Sequence, residues 1–396
     1  MEGKNNEETP MEHPEDADEQ DVIEEGDLAE TLEEMELADV EAEGLEGEEG
    51  EEEELPDDSI QGFFAHKEPV YTVSLCSAIP GLAVSGGGDD QAYLWQTDSG
   101  ETKAQLTGHT DSVTCARFNK DGKLVATAGL DACVKIWNTE NGELLKTLEG
   151  PGEGLDWLMW HQRGNVLLAG SGDGTAWMWL ASSGECMNMF VGHAGPVTCG
   201  GFSPDGKLIL TASEDATLRV WNPKTAQPKH VIQGFGYHEE GVICMSMHEE
   251  KPLVLTGSHD KTAKLVSYAT AKTLADLKGH ENSVESVGFC HSHPFIATGS
   301  MDNTIRIWDL NTGQYRQTCQ GHEDGVVKIK WHPQEPLLFS CSTDRTIRLW
   351  DARTATQVRS WLGHQDMILD FDVSSDGKTV VSASEDSTVL VFSVDN

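Results

Sequence analysis

Three sets of residues carry side chains that could do chemistry together: His193, Ser213 and Asp215; His280, Ser300 and Asp302; His322, Ser342 and Asp344. A hydroxyl, an imidazole and a carboxylate are the parts of an activated nucleophile, the imidazole taking the hydroxyl proton while the carboxylate orients the ring. Yet every set has one spacing, with His 22 residues before Asp, Ser two before it and a Trp six after it (Trp221, Trp308, Trp350). A catalytic triad is needed once, whereas a set repeated at a fixed interval stabilises a repeated unit. Other candidates are weaker. The glycine-rich "SGGGDD" (85–90) lacks the Lys-Ser/Thr and following helix of a phosphate loop. "CHSHP" (290–294) has two imidazoles but no spaced partners for zinc. The nine cysteines show no CxxC spacing, and several, such as Cys115 and Cys199, fall in short apolar runs as buried thiols do. The expectation is therefore no catalytic residue, no metal and no cofactor.

The elements that position these residues are strands. An aspartate followed six residues later by a large apolar residue recurs eight times, from Asp89 and Trp95 to Asp386 and Phe392, in steps of 42 residues with a single step of 45. Within each repeat, short β-branched and aromatic runs alternate with turn signals such as "KDGK" (120–123) and "PDGK" (204–207), as meandering antiparallel strands require. This period and its "GH…D…W" pattern resemble the WD-repeat family, whose repeats are four-stranded propeller blades. The resemblance implies an all-β, eight-bladed WD-repeat β-propeller. It also implies that His, Ser, Asp and Trp form one hydrogen-bonded chain, since a buried Asp is costly without donors. Gly87 and Gly129 stand in place of the Ser, and Val266 and Phe392 in place of the Trp, so those repeats are expected to hold weaker networks. Because the chain ends one strand short of an eighth blade, the segment 59–64 is expected to pair into the last blade and close the ring.

Charge divides the chain. Residues 1–58 hold 28 acidic residues against Lys4 alone, while 59–396 hold 40 acidic and 26 basic. The first stretch is too acidic and too poor in aromatics to bury a core, which predicts a disordered acidic N-terminal tail before a propeller domain at 59–396. Leu28, Leu32 and Met35 in that tail have helical spacing and could fold on a partner. No apolar run is long enough to span a membrane and the N-terminus has no signal-peptide pattern, so a cytoplasmic monomer is expected, with a nuclear or membrane-peripheral pool compatible.

The residues following each repeat His are acidic in nine of sixteen positions, which decides where a partner would sit. Asp111, Glu239, Glu240, Glu281, Glu323, Asp324 and Asp366 are among them, and the Asp-bearing turns add Glu214 and Glu385. In the resembled fold these loops and turns share one rim. An acidic rim beside an acidic tail attracts a basic protein or peptide and disfavours direct nucleic-acid contact, which needs Lys and Arg.

Four of the eleven tryptophans lie in "GLDWLMWHQRGNVLLAGSGDGTAWMW" (154–179). Trp160 and Trp179 occupy ordinary core positions, but Trp157 and Trp177 stand where other repeats put Cys and Lys or Arg. They are candidates for packing in a repeat that has Pro151 for its His, or for an aromatic anchor at an interface. This stretch, with "GGGDDQAYLW" (86–95), "TGSHDKTAKLVS" (256–267) and "ILDFDVSSDG" (368–377), resembles the angio-associated migratory cell protein family over 59–396. Its fungal counterparts resemble chaperones that hold the basic N-terminal segment of a nascent large-subunit ribosomal protein, and animal members are associated with cell migration. The resemblance thus implies a non-enzymatic, cytosolic ribosome-assembly chaperone, with a scaffold in migration or signalling as the alternative. "WDAR" (350–353) resembles the motif by which propellers dock on cullin-4 ubiquitin ligases, a further alternative resting on Arg353.

Overall fold

The computed structural model describes residues 56–395, which form eight four-stranded antiparallel sheets arranged as an eight-bladed β-propeller. Leu28, Leu32 and Met35 lie outside the described residues. Blades one to seven each run from inner to outer strand in chain order, over 70–106, 113–148, 155–191, 199–232, 242–278, 284–319 and 326–361. Innermost strands meet around the central axis. Middle strands such as Leu82–Gly87 and Phe295–Ser300 are buried at every residue. A blade is covered on both faces by its neighbours, so its central strands are apolar runs rather than an alternation. Large fully buried side chains, among them Trp179, Trp221 and Trp350, fill the space between blades.

Blade eight takes three strands from the C-terminal end, Ile368–Val373, Thr379–Ser384 and Val389–Ser393, and its outer strand from Gln61–Phe63. Gln61 faces Val391 and Phe63 faces Val389 in this antiparallel pair. Phe63 is 2% exposed and stacks on Trp95 of blade one with centroids 4.9 Å apart. Asp58, which composition assigns to the tail, also engages the ring. Its amide donates to the Leu362 carbonyl at 2.8 Å, and its carboxylate accepts from the Leu362 amide at 2.9 Å.

A second fastening lies on the inner strands where the ring closes. Asp370 and Asp372 of blade eight accept hydrogen bonds from the Val73 and Leu75 amides of blade one, at 3.0 and 2.8 Å. On the other side they pair with Lys328 and Lys330 of blade seven. Burial alone would raise the Asp372 carboxyl, but the charges of Lys330 and Lys328 hold it below the ordinary range. Buried carboxylates with this many donors satisfy inner-strand amides that no further strand covers.

The turn after each middle strand explains the repeated Asp. Its carboxylate accepts the backbone N–H two residues on, as Asp215 does from Thr217 at 3.0 Å and Asp344 from Thr346 at 3.0 Å. This local bond holds the intervening residue in the left-handed region, with φ of 60° at Ala216 and 69° at Arg345. Non-glycine residues tolerate that conformation only where surrounding bonds over-determine it.

Candidate functional site

The repeat network is a relay, but not the one expected from the motif. In blade four His193 Nδ1 lies 3.1 Å from Asp215 Oδ2, and His193 Nε2 lies 2.8 Å from Thr211 Oγ1. Trp221 Nε1 donates to the same Thr211 hydroxyl at 2.7 Å. The linking hydroxyl thus stands four residues before Asp, not two. Thr298 does the same for His280 and Trp308, and Ser340 for His322 and Trp350. Ser213, Ser300 and Ser342 instead fasten the turn: each accepts from the Asp amide and donates to a carbonyl of the His loop, Gly195, Asn282 and Asp324 respectively. The physical reason is the strand pleat. Residues two apart share a face, but only the one deeper in the strand lies level with the indole of the next strand.

This shift corrects two further expectations. Blade two has a complete relay despite Gly129, because Thr127 bonds both His109 and Trp137. In blade five the Trp position is Val266, yet Tyr237 donates its hydroxyl to Thr256 at 3.2 Å beside His238. Burial would raise the repeat carboxyls, but the hydrogen bonds from His, Thr and backbone amides together outweigh it, and Asp173 is lowered without a His. Asp344 is held well below its ordinary range, and Asp386 down to about 2. Burial also lowers the His322 pKa, so that ring is neutral at pH 7 and holds Asp344 as a hydrogen-bond donor. In blades two, four, six and seven the relay hydroxyl accepts from an indole inside the core.

The relay has a second effect, on the rim. The Asp carboxylate accepts the amide after the His, as with Glu239 at 3.1 Å, Glu281 at 2.9 Å and Glu323 at 3.0 Å. The His loop and the Asp turn are thereby locked together at one end of every blade. Asp111, Glu214, Glu239, Glu240, Glu281, Glu323, Asp324 and Asp366 are all exposed there, and Glu385 is half-buried. Two cations interrupt them that the His-loop pattern does not reveal, Lys261 and Arg345, both exposed on Asp turns. One acidic group was also missed. Asp156, in the inner strand of blade three, has its pKa raised by desolvation and then by the charge of Glu214 in the next blade.

Trp157 and Trp177 are both half-buried and pack within and between blades. Trp157 is half-buried, its indole N–H donates to the Val197 carbonyl of blade four at 2.7 Å, and its ring fills the space above Gly170 and Gly200. Trp177 stacks on Trp179 with centroids 6.0 Å apart and donates to Thr175 at 2.7 Å. It covers Gly150 as Arg219, Arg306 and Arg348 cover Gly192, Gly279 and Gly321 in other blades. With Pro151 there is no His, and Asp173 takes the Gly152 amide at 2.7 Å without a ring behind it. An uncharged stack replaces a guanidinium beside that reduced network.

At the opposite end a cavity of about 460 Å³ is lined by residues of blades five to seven, among them His248, His291, His293 and Trp331. His291 pairs with Glu249 at 3.2 Å, and His293 turns to Ser292. Among the described residues no group of three His, Cys, Asp or Glu could hold a metal ion. Among the described residues no helix is long and apolar enough to cross a membrane.

Comparison with known proteins agrees with this geometry. The WD domain, G-beta repeat model matches residues 100–138, 142–179, 184–222, 229–267, 271–309, 313–351 and 355–393. The chain belongs to the WD-repeat family. Each matched stretch runs from one blade's outer strand through the three inner strands of the next. The human angio-associated migratory cell protein is 38% identical over 252 residues, 60% of this chain and 57% of that protein. The match therefore spans somewhat over half the length of this relative. The ribosome assembly protein SQT1 of Saccharomyces cerevisiae is 32% identical over 85 residues, 21% of this chain and 20% of that one. Among solved structures, Chaetomium thermophilum Sqt1 bound to the N-terminus of ribosomal protein L10 superposes with a TM-score of 0.80 at 26% identity. That alignment covers 86% of this chain and 100% of that one. The WD-repeat propeller is a protein-binding fold.

Proposed function

We propose that this WD-repeat protein is a cytoplasmic chaperone that holds the basic segment of a newly made large-subunit ribosomal protein on its acidic rim. One observation carries the reading: exposed carboxylates converge at the single end where the His loops and Asp turns are locked together, on a fold shared with a protein crystallised with the N-terminus of ribosomal protein L10. The physical logic is electrostatic. A basic nascent segment makes wrong contacts with other polyanions, and a fixed anionic surface shields it while keeping exchange possible. Carboxylates on a rim contribute chiefly to association rate and to salt dependence.

Fluorescence anisotropy with a labelled Arg- and Lys-rich peptide tests this. Wild-type affinity is expected to fall steeply from low to physiological ionic strength. The triple variant Glu239→Lys, Glu281→Lys, Asp324→Lys should lose roughly tenfold or more at low salt. Affinity indifferent to both salt and the triple variant would reject the rim. In cells, C-terminally tagged protein should co-purify polysomes enriched in one ribosomal-protein message, and the variant should not.

A ligase-receptor role is less well supported. The Arg353 guanidinium, in the turn after the strand that ends at Asp351, is held by the Asp351 carboxylate through two bonds of 2.9 and 2.7 Å, so it is already paired.

A further inference from the structure

At the end of the ring away from the His loops, the residue after each inner strand ties down the following turn. In blades three, five and seven it is a histidine whose Nδ1 accepts turn amides. His161 accepts from Arg163, His248 from Glu250 and Lys251, and His332 from Gln334 and Glu335, all at 3.0–3.2 Å. Accepting at Nδ1 leaves the ring proton on Nε2. The Nε2 edges of His161 and His332 lie against Gly206 and Gly377 in the turn of the following blade. Blade six breaks this pattern, carrying His293 where blades four and eight have those glycines. His248 instead lines the cavity of about 460 Å³, set edge-on to Phe289 with centroids 5.3 Å apart. Its Nε2 has no partner among the described residues. Burial lowers the His248 pKa, so at pH 7 the ring is a neutral donor.

A second open donor borders the same cavity. Trp160 and Trp331 end the inner strands of blades three and seven. Trp160 Nε1 donates to the Arg117 carbonyl of blade two at 2.9 Å. The residue of blade six that matches Arg117 is Gly288, and Trp331 packs flat against it. A Cβ at Gly288 would lie 3.0 Å from Trp331 Cδ1 and 3.1 Å from Nε1. Trp331 is 4% exposed, and its indole N–H makes no hydrogen bond. A buried donor without a partner costs stability, and such groups are rare in native folds. The cavity has the volume of a small-ligand site, and Val287, Phe289, Leu310 and Ile329 give it apolar walls. Two of its charged lining groups are already paired, Lys330 with Asp372 and Glu249 with His291.

We infer that this cavity binds a large apolar group bearing oxygen acceptors, which take the His248 Nε2–H and, as the indole turns off Gly288, the Trp331 Nε1–H. Both donors are neutral, so the site selects acceptors without requiring charge. An apolar residue inside a peptide chain has this chemistry, its side chain standing beside backbone carbonyls. A chain terminus or a free aromatic acid has it too, with a carboxylate in place of the amide. The site lies at the opposite end from the acidic rim and does not depend on it.

Fluorine NMR of the full-length protein labelled with 5-fluorotryptophan tests this, the Trp331 line being the one lost in Trp331→Phe. The probes are N-acetyl-phenylalanine amide, N-acetyl-phenylalanine with its free carboxylate, and N-acetyl-serine amide. A phenylalanine probe should shift the Trp331 line saturably with about millimolar affinity, and the serine probe should leave it in place. Tighter binding of the carboxylate identifies a terminus or free acid as the ligand, and tighter binding of the amide an internal segment. In ligand-observed titrations Trp331→Phe and His248→Asn should each weaken binding about tenfold, the order of one hydrogen bond. Both are native to other blades at these positions, as Phe118, Phe202 and Phe289 and as Asn119, so folding is expected. Thermal unfolding needs no ligand: Trp160→Phe should lower the melting temperature further than Trp331→Phe, because only Trp160 has a hydrogen bond to lose. An unmoved Trp331 line, an equal shift with the serine probe, or affinity unchanged in both variants would overturn the inference. So would a Trp331→Phe variant as destabilised as Trp160→Phe.

Discussion

Replacing Thr211 by Val separates the relay seen in the structure from the one the motif suggests. Thr211 is fully buried, and its hydroxyl is the shared partner of His193 Nε2 and Trp221 Nε1 at 2.8 and 2.7 Å. Valine has nearly the same shape but no hydroxyl, so both ring nitrogens lose their partner where no water reaches. A buried polar group left unpaired costs about 1–3 kcal/mol, so two should cost about 2–6 kcal/mol, the lower end applying where the ring tilts to relieve itself. Ser213→Ala removes a hydroxyl that is also buried and also makes two bonds. Its partners, the Asp215 amide and the Gly195 carbonyl, lie on the half-buried rim, where water replaces part of what is lost; about 1 kcal/mol is expected. Thr211→Ser keeps the hydroxyl and should recover most of the stability. Urea unfolding of the three variants measures the differences directly. If Ser213→Ala cost more than Thr211→Val, the hydroxyl between His and Trp would not be doing what the geometry shows.

Four other outcomes are expected. Stability should fall on acidification from two sources. Neutral, buried His322 has its pKa depressed, so the unfolded state binds its proton first and stability declines below about pH 6.5. The repeat carboxyls, with Asp386 at about 2, add a second loss below about pH 4, where the unfolded chain protonates and the folded one does not; equilibrium unfolding against pH should show both steps, and a flat profile from pH 7 to 3 would contradict them. Trp157→Ala should destabilise by about 3–5 kcal/mol through the cavity above Gly170 and Gly200, without weakening basic-peptide affinity measured on protein that remains folded; a binding loss larger than the stability loss explains would restore its role as an anchor. Phe63→Ala should cost a similar about 3–5 kcal/mol by loosening ring closure at Trp95, read as a lowered melting temperature with blade eight exchanging its amides first. Arg353→Ala should leave any association with a cullin-4 ligase adaptor unchanged in co-purification, since its guanidinium is held by Asp351; loss of that association would revive the receptor reading.

The blade count was legible because it depends on period and pattern. A fixed step between aspartates, turn signals between β-branched runs and a missing last strand all follow from local backbone preference and from the burial each strand needs on both faces. The acidity of the rim was equally legible, since residues after each His must share one end of a blade. What escaped was anything set by which atoms meet across strands or blades. Thr211 and Ser213 look interchangeable as hydroxyls beside Asp215, and only the pleat decides which one reaches Trp221. Tyr237 substitutes for a missing Trp from the His loop, a place no repeat alignment would search.

The same division holds for the site. Composition shows that Glu239, Glu240, Glu323 and Asp324 are charged and turn-bound, and thus solvent-facing. It does not show that the charge of Glu214 reaches Asp156, because those residues are 58 positions apart and are brought into range only when blade three stacks on blade four. Nor does it show that the Val73 and Leu75 amides reach Asp370 and Asp372, since blade eight borrows its outer strand from residues 61–63 and brings the two ends of the ring together. By itself the sequence determined the repeats, the strand content and the sign of the rim, all of which are properties of single blades. Closure of the ring decided the rest: contacts between blades pair residues far apart in the chain, and their energies depend on distances that no local pattern encodes.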